Sequence, residues 1–191
     1  MPYGKRQKGR RVLKDKFCLD LTLEDLNAWC EKREVPKYRA SQIYGWLSAG
    51  TVDTADMTNV PKNVRAMLEE DFIFGGFELR EHLVSKIDGT EKFVYGLYDG
   101  NIIETVAMRY KPGISVCVSS QAGCKMGCAF CASAKIAFGR SLSAGEILAQ
   151  VSVTQKMIGE RIRSVVIMGI GEPFDNYDIS LLYPEKPSHI R

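Results

Sequence analysis

The strongest constraint on the fold lies in residues 115–168, which predict a strand, a loop, a helix and a second strand. The run 115–119 is short and β-prone, and the run 164–168 is apolar and β-branched. Between them, Ser143-Ala144-Gly145-Glu146 has the spacing of a helix capping box, and Gly159 ends the predicted helix. This order predicts a right-handed βαβ unit of an α/β sheet or barrel.

Two loops follow these predicted strands at their carboxyl ends, where α/β folds place their chemistry. The first loop, after Ser119, contains Cys124, Cys128 and Cys131. The second loop is Gly169-Ile170-Gly171-Glu172-Pro173. We therefore expect functional residues in both loops.

The three cysteines of the first loop have the spacing C-x3-C-x2-C, which can hold one metal centre. A structural zinc site normally has four ligands, often as two separated pairs, and the other cysteines, Cys18, Cys30 and Cys117, form no second close pair. An iron–sulfur cubane held by three cysteines would leave one iron open for a substrate or cofactor, whereas ordinary electron-transfer cubanes use four. No secretion signal is recognisable, so we expect reduced thiols rather than disulfides.

The residues before the βαβ unit divide into three regions by composition. Residues 1–16 form a basic arm with a local net charge of +6, which can neutralise phosphates or be a solvated disordered tail. Residues 17–76 predict three short helices, a small accessory domain. Residues 77–111 predict strands joined by hairpin turns at Asp88-Gly89 and Asp99-Gly100.

Glu104 is a candidate functional residue in the last of these predicted strands. It alternates with Ile102, Val106 and Met108 on one face of the strand. A carboxylate among apolar neighbours needs a partner, unless the strand lies at an edge and the side chain reaches water.

C-x3-C-x2-C with an aromatic residue before the last cysteine is the signature of radical S-adenosylmethionine (SAM) enzymes. Over about residues 20–178 the chain resembles the RlmN/Cfr family of RNA adenine methyltransferases. The resemblance rests on motifs that occur in the same order: Asp88-Gly89-Thr90-Glu91-Lys92, Ile103-Glu104-Thr105-Val106, Cys117-Val118-Ser119-Ser120-Gln121-Ala122-Gly123-Cys124, Met168-Gly169-Ile170-Gly171-Glu172-Pro173 and Asn176-Tyr177-Asp178.

The resemblance implies two cofactors and their ligands. Cys124, Cys128 and Cys131 would bind a [4Fe–4S] cluster, and SAM would chelate the open iron. Gly171 and Glu172 match the SAM-binding pair of the family, and a glutamate carboxylate can accept hydrogen bonds from the SAM ammonium group.

The resemblance also implies the reaction and its partners. The family methylates C2 of an adenine in 23S rRNA and in some tRNAs through a methyl-cysteine near the C-terminus. Glu104 matches its proton acceptor, and Cys117 matches a cysteine that resolves the RNA–enzyme adduct. An electron-donating reductant and a cytoplasmic location are expected, and no membrane partner, since no stretch of 18 apolar residues occurs.

The predicted fold class is therefore α/β: a partial radical-SAM (βα) barrel over residues 112–178, C-terminally incomplete, after the helical domain and the hairpin region. A six-unit barrel needs about 190 residues, scaling from eight units. Residues 179–191 form an atypical tail with two prolines, and no cysteine follows Cys131. We expect a truncated or frameshifted form that does not methylate RNA alone. The alternative function is a non-catalytic metal-binding, RNA-binding module.

Overall fold

The computed structural model describes residues 16–177. Apart from Lys16, the predicted basic arm lies outside the described residues, as does the predicted tail, 179–191. The elements in chain order are α1 (Leu23–Lys32), α2 (Tyr38–Ser48), α3 (Lys62–Asp71), β1 (Phe77–Val84), β2 (Glu91–Leu97), β3 (Ile102–Tyr110), β4 (Gly113–Cys117), β5 (Gln121–Ala122), β6 (Arg140–Ser141), α4 (Ala144–Ile158) and β7 (Ile162–Val166).

Helix boundaries follow local sequence signals. At the start of α1, Thr22 Oγ1 accepts a hydrogen bond from the Asp25 backbone N–H, and the Asp25 carboxylate accepts one from the Thr22 N–H. Ser143 and Glu146 form the same reciprocal capping box at the start of α4. Gly159 ends α4 with a φ of 72°, in the left-handed region that suits glycine.

The main sheet has five strands in the order β1-β2-β3-β4-β7. The first four strands pair antiparallel. The predicted turns at Asp88-Gly89 and Asp99-Gly100 join β1 to β2 and β2 to β3. β4 and β7 pair in parallel, with α4 as the connection between them. This part of the chain is therefore an α/β structure with the predicted βαβ unit.

The two faces of the sheet differ in their surroundings. α4 covers one face, where its residues share a core with the strands: Phe93, Tyr95, Ile103, Ala107, Val116, Ile147 and Val151. The intervening residues of the strands, such as Glu104, Val106 and Cys117, are only half-buried. We call this second, half-exposed surface the open face of the sheet.

The helical segment shares its core with α4. Leu148 and Ala149 of α4 belong to the same apolar cluster as the buried residues of α1, α2 and α3. Near the start of α4, the Gly145 N–H donates to Asp20 Oδ1 at 2.6 Å, and a Cβ on Gly145 would lie 2.8 Å from the Asp20 nitrogen. Glycine is therefore required where the two segments touch. In the described part of the chain, no helix is long and apolar enough to cross a membrane.

Candidate active site

The cysteine loop, residues 123–139, has closely joined ends. It connects β5 with β6, which pair with each other through Gln121–Ser141 and Ala122–Arg140. Gly123 has a φ of 77°, and a Cβ there would lie 2.1 Å from the Ala137 carbonyl oxygen. The base of the loop is thus fixed by backbone contacts, while its tip is exposed.

The three predicted cluster ligands lie on this loop. Cys128 is exposed, and Cys124 and Cys131 are half-buried. The Cys131 N–H donates to the Cys128 carbonyl oxygen at 3.1 Å, and hydrogen bonds from the backbone and the hydroxyl of Ser133 lower the pKa of the Cys131 thiol. A stabilised thiolate is the form that binds metal.

The cysteine loop has the right donor atoms for an iron–sulfur cluster, but the donors are not arranged around one point. Three accessible thiols on one loop are the donor set that such a cluster uses. Within residues 16–177, however, no three His, Cys, Asp or Glu side chains are gathered as a metal-binding group. Binding a cluster therefore requires the loop tip to draw its sulfurs together.

The exit loop, residues 167–176, follows β7 and packs against the end of β4. The Gly169 N–H donates to the Val118 carbonyl oxygen, and the Ile170 N–H donates to Ser119 Oγ, both at 3.0 Å. A Cβ on Gly169 would lie 2.8 Å from Ser119 Oγ. Glycine thus permits the close approach of the two strand ends.

The predicted SAM-binding pair, Gly171 and Glu172, lies within the exit loop. Gly171 has a φ of 104°, and a Cβ there would lie 2.6 Å from Gln121 Cβ. Glu172 Oε1 accepts a hydrogen bond from the Phe174 N–H at 3.0 Å and caps the short 3-10 helix Pro173–Asn176. The Glu172 side chain is half-buried.

One polar junction joins the exit loop to the cysteine loop. The carboxylate oxygen Oδ2 of Asp175 accepts hydrogen bonds from Lys125 Nζ at 2.9 Å and from Gln121 Nε2 at 2.7 Å. These two donors lower the pKa of the Asp175 carboxyl. Lys125 lies between Cys124 and Cys128, so the junction reaches directly into the predicted cluster motif.

The two predicted catalytic residues lie on the open face of the sheet. Cys117 on β4 is opposite Val106 on β3, two residues from Glu104. Lys92 Nζ lies 2.6 Å from Glu104 Oε1, so the Glu104 carboxylate has a cationic partner. Burial raises the pKa of the Cys117 thiol, although a hydrogen bond from the Met168 backbone opposes the shift. Glu104 and Cys117 therefore share one surface.

A buried hydroxyl lies beside the exit loop without a partner. The Ser120 N–H donates to the Ile170 carbonyl oxygen at 3.0 Å. Among the residues that the structure describes, Ser120 Oγ is the one buried side-chain oxygen or nitrogen that lacks a hydrogen-bond partner. Such an atom is consistent with a bound polar ligand next to the loop.

Sequence reasoning missed three residues that organise this site: Lys92, Gln121 and Asp175. Lys92 and Gln121 stand in motifs already recognised, but the motifs do not show their contacts. Gln121 and Asp175 are 54 positions apart, so no local pattern predicts that they meet.

Comparison with known proteins shows that the sequence is similar to RNA methyltransferases. Residues 18–73 match the family model "Ribosomal RNA large subunit methyltransferase N-terminal domain". The chain is 50% identical over 163 residues to the probable dual-specificity RNA methyltransferase RlmN of Clostridium botulinum, covering 85% of this chain and 47% of that protein. RlmN of Clostridium perfringens strain 13 is 49% identical over 164 residues, covering 85% and 47%.

A solved structure agrees with these relatives. The crystal structure of a radical SAM methyltransferase from Sphaerobacter thermophilus matches with a TM-score of 0.79 and 36% identity, covering 90% of this chain and 51% of that one. The fold of the described residues is thus similar to that of a radical SAM methyltransferase. The sequence is similar to RlmN proteins over 85% of this chain, and residues 18–73 match the N-terminal domain model named above. The chain spans about half the length of the curated relatives it matches.

Proposed function

We propose that the chain carries the cofactor-binding loops of a radical SAM methyltransferase acting on adenine C2 of 23S rRNA and tRNA. The observation that carries the proposal is the pairing of the cysteine loop and the exit loop. Both follow the carboxyl ends of the parallel strands β4 and β7, and Asp175 joins them. Ligand sites of α/β folds lie at this edge. The RNA methyltransferase relatives supply the chemical class.

The cofactors follow from the donors in these loops. Cys124, Cys128 and Cys131 would hold a [4Fe–4S] cluster, and the exit loop with Gly171 and Glu172 would hold SAM. When bound, the cluster supplies an electron that activates SAM for reaction at a carbon lacking an acidic proton. The Glu172 carboxylate has a second oxygen besides Oε1, and this oxygen is suited to accept a hydrogen bond from the SAM ammonium group.

The open face would then receive the adenine. Glu104 would accept the proton that leaves the base, and Cys117 would resolve the covalent adduct. Both residues lie on the same face of adjacent strands, and both are half-buried, so a substrate can reach them. The raised pKa of Cys117 keeps its thiol protonated until a base or the adduct engages it.

The remaining regions would serve substrate binding. We propose residues 17–76, with the basic arm 1–16, as a helical RNA-binding domain, residues 77–111 as the hairpin region, and residues 112–178 as part of a radical-SAM (βα) barrel. Lysine and arginine contacts to phosphates would supply salt-dependent RNA affinity. A cellular reductant and a cytoplasmic location complete the proposal.

Anaerobic reconstitution of the purified chain with iron, sulfide and SAM tests the proposal. We expect a brown protein with iron and sulfide in equal amounts, and SAM binding that depends on the cluster. Zinc binding without iron or sulfide uptake would support the alternative, a metal-binding and RNA-binding module without radical chemistry. RNA affinity measured over a range of salt concentrations tests the helical segment separately.

A further inference from the structure

Gln121 makes a set of contacts that no motif assigns to it. The residue is fully buried, although it carries a polar amide. Its Oε1 accepts a hydrogen bond from the Glu172 backbone N–H at 3.1 Å, and its Nε2 donates to Asp175 Oδ2 at 2.7 Å and, more weakly, to Ser141 Oγ at 3.3 Å. Both ends of the amide are therefore used, and both reach the segment that follows β7.

The backbone around Gln121 makes the same connection. The Gln121 N–H donates to the Ile170 carbonyl oxygen at 3.1 Å, and the Gln121 side chain fills the space that a Cβ on Gly171 would need. On its other side, Gln121 pairs with Ser141 in the ladder that closes the cysteine loop. One buried residue thus touches both loops.

We infer that Gln121 is a positioning residue that fixes the exit loop against the cysteine loop, so that the SAM-binding and cluster-binding positions form in register. The inference rests on the proposed function for the identity of the ligands. An amide suits this role because it offers a donor and an acceptor at once, and each matches a group of opposite type on the exit segment. Removing either bond leaves a polar group without its partner.

Three variants test the inference. Gln121→Met keeps the length of the side chain but removes both hydrogen bonds. The double variant Gln121→Glu with Asp175→Asn restores both hydrogen bonds. The asparagine amide at position 175 now donates to the carboxylate at position 121, and that carboxylate still accepts from the Glu172 N–H. Gln42→Met is the matched control, because Gln42 on α2 accepts a hydrogen bond from Arg39, in the helical segment.

Hydrogen exchange gives a measurement that needs no cofactor. In Gln121→Met, the Glu172 amide should exchange about tenfold faster, because it loses its acceptor. The double variant should return toward the parent rate, and Gln42→Met should not change it. Unchanged exchange at Glu172 in Gln121→Met would overturn the inference. If Gln121→Met does not fold, a double variant that folds and exchanges at the parent rate still supports the inference. A folded double variant in which the Glu172 amide exchanges fast refutes it.

Cofactor binding separates positioning from a general loss of structure. In the reconstituted chain, Gln121→Met should retain its iron content, because all three cysteines remain, while the Kd for SAM rises roughly tenfold, as expected when a supporting partner of a ligand site is removed. An unchanged Kd for SAM would contradict the positioning role. If the parent chain bound neither iron nor SAM, the proposed function would fail, and hydrogen exchange alone would still decide whether Gln121 couples the two loops.

Discussion

The Arg140 guanidinium donates two hydrogen bonds to the Glu146 carboxylate, each at 2.7 Å, and so joins β6 to the first turn of α4. The Glu146 side chain is 2% exposed, and its carboxylate also accepts from the Ser143 N–H. Hydrogen bonding to Glu146 raises the pKa of the Arg140 guanidinium further, so the guanidinium stays charged. This pair fixes the end of the cysteine loop to the helix below it.

Arg140→Ala should destabilise the chain by about 3 kcal/mol, because it leaves the buried Glu146 carboxylate without its cation. Urea unfolding followed by circular dichroism measures the change. The double variant Arg140→Met with Glu146→Gln should lose clearly less, because the fully buried carboxylate is gone and the glutamine can still cap the helix. Asp99, the other partner of Arg140, is in contact with solvent and loses its cation in both variants. Equal losses in both variants would contradict a role for the ion pair.

Cys128→Ala should abolish iron loading after anaerobic reconstitution, because two thiols do not hold a cubane. Cys30→Ala is the matched control: Cys30 is buried in the helical core, so this change should lower stability but leave iron content intact. Iron and sulfide analysis of both proteins makes the comparison. Full cluster content in Cys128→Ala would remove Cys128 from the ligand set.

Glu104→Gln should change the free energy of unfolding by no more than about 0.5 kcal/mol, because its partner Lys92 and the glutamate itself are more than one-third exposed. Thr105→Val, one residue further along, should cost about 1.5 kcal/mol, because Thr105 is fully buried and donates to Gln150 Oε1. Urea unfolding of the two variants compares the faces of the sheet. A larger loss for Glu104→Gln would place it in the core rather than on the open face.

Asp25 should make the stability of the chain depend on acid pH. Partial burial opposes ionisation, but hydrogen bonds from Lys16 and Thr22 outweigh it and lower the pKa of Asp25 from 3.8 to about 2. Because the folded pKa is the lower one, the stabilisation is complete above the unfolded value and is lost as pH falls from 3.8 toward 2. Unfolding measured against pH should show a difference between the parent and Asp25→Asn that shrinks over this range. A constant difference would be inconsistent with the shift.

Local signals in the sequence predicted much of the fold. The capping box at Ser143, the stop at Gly159 and the glycines of the two hairpins depend on contacts with residues a few positions away. A short stretch of sequence is therefore enough to predict them. The alternation of residues along β3 likewise predicted that Glu104 and Val106 share one face of the strand, which is the open face of the sheet.

Contacts between distant segments could not be predicted in this way. The partner of Glu104 depends on the register between β2 and β3, which places Lys92 opposite Val106. The Gln121–Asp175 contact depends on how β7 packs beside β4. The C-x3-C-x2-C spacing indicates a metal ligand set, but the convergence of its sulfurs depends on the metal as well as on the chain.

The position of α4 between two cores has a consequence for the order of folding. Leu148 and Ala149 complete the core of the helical segment, and the contact between Asp20 and Gly145 spans 125 positions. During synthesis, therefore, α1, α2 and α3 leave the ribosome with an unfinished apolar surface and must wait for α4 to emerge. Closing so long a loop is entropically costly, so the chain should fold slowly and should need protection from aggregation until α4 arrives.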